Sequence, residues 1–93
     1  MFGLFKKRTG IDNFSNDLVK YFEKIISKVR QQIGNDKVAF PIIASSALLD
    51  AEKEFKIQKQ KLAKDYSISE EEVDRIISQT SKAVFDKYFK IGY

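Results

Sequence analysis

A chain of 93 residues with 43% hydrophobic and 32% charged content has the size and balance of one globular domain, not of a disordered segment. It holds no His and no Cys, which removes the commonest proton shuttle, the thiol nucleophile and the soft metal ligands. The net charge of +4 is local: Lys6, Lys7 and Arg8 place +3 on residues 1–10, and the near-balanced remainder argues against an extended nucleic-acid face.

Residues 1–10, MFGLFKKRTG, read as a flexible basic N-terminal arm ahead of a helical domain over residues 11–93. Phe2, Leu4 and Phe5 beside Lys6, Lys7 and Arg8 suit weak contact with an anionic surface such as lipid head groups. A myristoyl chain cannot strengthen it, because Phe2 follows the initiator Met where that modification needs glycine. The polar residues Asp12, Asn13, Asn16 and Asp17 that follow do not continue as the apolar core of a signal peptide.

Helical periodicity predicts a first helix over about 12–33, capped by Asp12. Phe14, Leu18, Tyr21, Phe22, Ile25, Ile26, Val29 and Ile33 share one broad sector, with Lys20, Glu23, Lys24, Ser27 and Gln31 opposite. Gly34 then supplies the left-handed residue that ends helices, followed by the turn formers Asn35 and Asp36.

The second predicted helix covers about 41–65, with Pro41 in its first turn, where a missing N–H is harmless. Its stripe is Ala44, Ala47, Leu48, Ala51, Phe55, Leu62 and Tyr66, interrupted by the polar Gln58. The longest uncharged run, Val38 to Leu49, is twelve residues, too short for the ~20 that a membrane span needs. Lys53, Lys56, Lys59, Lys61 and Lys64 point in several directions among Glu52 and Glu54, so they read as a solvated face.

A third helix is predicted over about 69–91. Ser69 and Glu72 form a capping box, Ile68 and Val73 a hydrophobic staple, and Glu70, Glu71 and Glu72 complement the helix dipole. Its stripe runs Val73, Ile76, Ile77, Thr80, Val84, Tyr88 and Ile91. Three helices of ~33–37 Å joined by short loops predict an all-α fold, a single-domain antiparallel three-helix bundle.

Residues 59–78, KQKLAKDYSISEEEVDRIIS, resemble the bacterial helix-turn-helix family. Leu62 and Ala63 match its first helix, Tyr66, Ser67 and Ile68 its turn, and Val73 and Ile76 the buried face of its second helix; Ser67 stands where glycine is usual. The resemblance implies DNA binding, with Ser69, Glu70, Glu71 and Asp74 reading base edges in the major groove. Three of those four are acidic and only Arg75 offsets them, which sets the segment against a polyanion.

No zinc-protease helix, phosphate-binding loop or calcium loop is present, so the chain reads as a non-enzyme without metal or cofactor. The informative feature is an apolar surplus. Ile42, Leu49 and Ile57 form a second line opposite the main stripe of helix two, while Phe85, Phe89 and Tyr93 lie off the stripe of helix three. With Phe40 they define a predicted patch for a protein partner or a second copy of the chain, the homodimer being the simplest cover. The expected function is a small cytoplasmic interaction protein, ahead of a DNA-binding regulator using 59–78 or a membrane adaptor using residues 1–8.

Overall fold

The computed structural model describes residues 10–34 and 36–89. These residues form four α-helices and no strand: α1 (Ile11–Ile33), α2 (Ala39–Ile57), α3 (Lys59–Tyr66) and α4 (Glu70–Phe89). Lys6, Lys7 and Arg8 of the predicted arm, and Tyr93 of the predicted patch, lie outside the described residues.

The all-α expectation holds, but four helices replace the predicted three. The second predicted helix, 41–65, is divided at Gln58, whose backbone (φ −97°, ψ 18°) leaves the helical range. Its N–H turns back to the carbonyl of Phe55 at 3.0 Å, and its own carbonyl accepts the N–H of Leu62 at 2.9 Å to start α3. Neither proline nor glycine forces this break. Gln58 is exposed, so the step in the chain removes a polar side chain from a stripe whose other members pack inward.

In α1, the residues Phe14, Leu18, Phe22, Ile26 and Val29 are buried at the spacing of one helix face. Tyr21, expected in the same sector, is half-exposed at its edge. The helix begins two residues earlier than an Asp12 cap would set it, because Gly10 occupies the N-cap position at φ 94°, a conformation suited to glycine. From there its N–H reaches the Tyr66 carbonyl at 2.7 Å and ties the start of α1 to the end of α3. Gly34 (φ 64°) closes the other end, its N–H on the Arg30 carbonyl at 2.8 Å.

The following helix also starts earlier than predicted. The Asp36 carboxylate accepts the N–H groups of Val38 and Ala39 at 3.0 and 2.9 Å, so the first turn forms ahead of Pro41. Phe40, Ala44, Leu48 and Ala51 then face inward. In α4 the buried positions are Val73, Ile76, Ile77, Thr80, Ser81 and Val84. A single core cluster draws on all four helices, with α1 packed against both α2 and α4 and α3 packed against α4. Among the described residues, no buried side-chain polar atom lacks a partner and no helix is long and apolar enough to cross a membrane.

Candidate interaction surface

Burial divides the predicted patch. Ile42, Leu49 and Ile57 are 65%, 51% and 82% exposed. Val38, four residues before Ile42 on the same face, is 74% exposed and extends the line by one turn. Sequence reasoning missed Val38, although its four-residue spacing from Ile42 is the signal that finds it.

Phe40 is not part of this surface. It is 7% exposed and belongs to the core stripe, four residues before Ala44. The Arg30 guanidinium lies 4.4 Å from its ring centroid, and the Phe89 ring meets it edge-on at 4.8 Å. Such cation–aromatic and edge-to-face contacts are the favoured geometries for a ring at a core margin. Phe85 and Phe89 are half-buried, tilted against one another with centroids 4.6 Å apart and packed against the core. They serve partly as core, so the expected single patch across helices two and three reduces to the outer face of α2.

A shallow groove of about 160 Å³ runs beside that face between α2 and α4, with Ser45 and Leu49 on one wall and Ser81 and Phe85 on the other. An apolar recess of about 130 Å³ lies where Tyr21 and Phe55 meet, 5.0 Å between centroids, next to Tyr66. Both are smaller than the ~300 Å³ at which metabolite pockets begin.

The lysines near the break are engaged within the fold. Lys56 donates to Ser78 Oγ at 2.8 Å, Lys59 pairs with Asp74 at 3.3 Å, and Lys61 with Asp65 at 3.6 Å. Two of these contacts hold the α2–α3 segment against α4. Further along, Lys87 meets Glu23 at 2.6 Å and joins α4 to α1. No group of three or more acidic side chains that could hold a metal occurs among the described residues.

The helix-turn-helix-like segment has a defined backbone. Three residues, 67–69, join α3 to α4, and Ser67 adopts the left-handed conformation (φ 58°, ψ 45°) at the position where glycine is usual. The Ile68 N–H closes back on the Ala63 carbonyl at 3.0 Å, the long bond of a Schellman turn. Val73 and Ile76 are buried, as the resemblance implies for the inward face of its second helix, and Ala63 of the first helix is buried too. The presented end is acidic: Glu70 and Glu71 are exposed, Ser69 and Glu72 cap each other, and Asp74 is held by Lys59.

Comparison of the chain with protein-family models, with curated proteins and with solved structures finds no match to any of them.

Proposed function

We propose that this chain is a small non-enzymatic interaction protein, working in the cytoplasm by pairing the outer face of α2 with another protein surface or with a second copy of itself. The observation that carries this reading is the line Val38, Ile42, Leu49 and Ile57, all more than half exposed on a helix whose opposite face is core. Burying one such side chain is worth about 1.5–3 kcal/mol, so a covered line gains several kcal/mol that the isolated fold forgoes. The twelve residues from Val38 to Leu49 carry no charge, which lowers the desolvation cost of closing a partner over them. The absence of Cys accords with a reducing compartment.

The two other surfaces rank below this one. The hairpin of α3 and α4 has the turn of a DNA reader, but its presented end carries the exposed Glu70 and Glu71, and Asp74 is offset only by Lys59 and the adjacent Arg75. The basic segment with Lys6, Lys7 and Arg8 offers three charges and a few apolar side chains, enough for weak membrane-surface attraction only.

The test is the double variant Ile42→Lys, Leu49→Lys. Both side chains are exposed in the fold, so helical circular dichroism should be retained while self-association or partner capture is lost. Association undiminished in this variant would refute the assignment of the α2 face.

A further inference from the structure

Resting on that assignment of the α2 face, we infer that its partner is a second copy of this chain, with the two α2 helices packed antiparallel about a two-fold axis at Ser45 and Ser46.

The spacing is self-complementary. Ile42 lies three residues before Ser45, and Leu49 three residues after Ser46. An antiparallel two-fold through that step therefore sets Ile42 of one copy opposite Leu49 of the other, twice over. Seven residues separate Ile42 from Leu49, two helical turns, which keeps both on the contact face. Both serines are exposed and small, so the helices can approach closely where they cross. Leu49 also forms a wall of the groove shared with Phe85, which continues the apolar surface onto α4.

Charge selects the direction. In the antiparallel pair Lys53 falls opposite Val38, and Glu54 opposite Lys37. Asp36 of each copy then lies near Lys53 and Lys56 of the other, so both ends of the contact bring opposite charges together. A parallel pair would set Lys53 against Lys53, Lys56 against Lys56 and Asp50 against Asp50, and would align the two helix dipoles. Two apolar side chains per copy at the centre, Ile42 and Leu49, make a small interface, of the size seen in transient complexes, so the dimer should dissociate on dilution.

The chain has no native Cys, so introduced cysteines report on this geometry without background. The Ile42→Cys and Leu49→Cys variants are purified separately, mixed and oxidised mildly at a concentration where sedimentation equilibrium shows dimer. A disulfide needs Cβ atoms within about 3.5–4.5 Å, so the mixture should give predominantly the mixed product, with little disulfide dimer from either variant alone. Efficient dimers from each variant alone would show parallel packing and overturn the inference. A wild-type chain that stays monomeric at every concentration would also overturn it, while leaving the α2 face to a different partner. A dimer that persists in the Ile42→Lys, Leu49→Lys variant would refute the face itself, and with it the function proposed above.

Discussion

Ser69 shows how much one side chain contributes at a helix start. Its Oγ accepts the Glu72 N–H at 3.1 Å, and the Glu72 carboxylate accepts the Ser69 N–H at 3.0 Å. Ser69→Ala should therefore lower stability by about 0.5–2 kcal/mol, read as a shift in urea midpoint at unchanged slope. Tyr66 acts at a distance in sequence: its hydroxyl donates to Asp17 at 2.6 Å, and its ring lies 4.8 Å from that of Phe14. Tyr66→Phe keeps the ring contact and removes the donor, an expected cost of about 1–2 kcal/mol in the same measurement. Phe22 and Phe55 should separate by burial. Phe22 is fully enclosed, so Phe22→Ala should cost about 3–5 kcal/mol. Phe55, in the centre of the stripe predicted for helix two, is only partly buried between Tyr21 and Phe22, and its alanine variant should cost clearly less.

Between elements, the polar cross-links add register to an apolar core. Glu23 on α1 hydrogen-bonds the Lys87 ammonium on α4 and attracts it electrostatically, which raises its pKa above the ordinary 10.5. The sign follows from linkage. A cation favoured in the folded state contributes stability that is fully present below the unfolded value and is lost as pH rises through the raised folded value. Melting temperatures of wild type and Glu23→Gln should thus differ slightly at neutral pH and converge only above pH 10.5. The Lys87 side chain stands in solvent, so the difference should shrink with added salt. The division of α2 from α3 has a similar logic. With Gln58 in the turn, α3 lies against α4, where Lys59 pairs with Asp74 and Ala63 enters the core.

For the molecule as a whole, the distribution of charge limits what it can bind. Duplex DNA should bind weakly and through the basic N-terminal residues, because the α4 end of the hairpin presents Glu70 and Glu71. Deleting residues 1–8 should abolish most of that binding and flatten its salt dependence, measured by fluorescence anisotropy across a salt series. A sequence-specific complex that survives the deletion at physiological salt would move the function to the α3–α4 hairpin. The apolar line on α2 has a different signature: association through Ile42 and Leu49 should be weakened by salt only as far as its flanking charge pairs are screened, and abolished by a lysine at either position.

Periodicity alone determined that the chain is helical, where α1 and α4 lie, which side of α1 and of α4 as far as Val84 faces inward (Tyr88, expected on that side, is exposed and Ile91 lies outside the described residues), and that Ser69 with Glu72 opens α4. These are local matters: a 3.6-residue repeat and a capping pair act within a few turns, whatever the rest of the chain does. The exposure of Ile42, Leu49 and Ile57 was legible in the same way, as a second line on a helix that needed only one. Tertiary structure decided the rest. Phe40 is core because Arg30 and Phe89 come to it from α1 and α4, and neither is near it in sequence. The helix predicted over 41–65 ends at Ile57, because α3 must turn to pack on α4 while Gly10 binds the Tyr66 carbonyl. Each of these outcomes depends on contacts between residues far apart along the chain, and a repeat read within one helix carries no information about which partner will fill the space beside it.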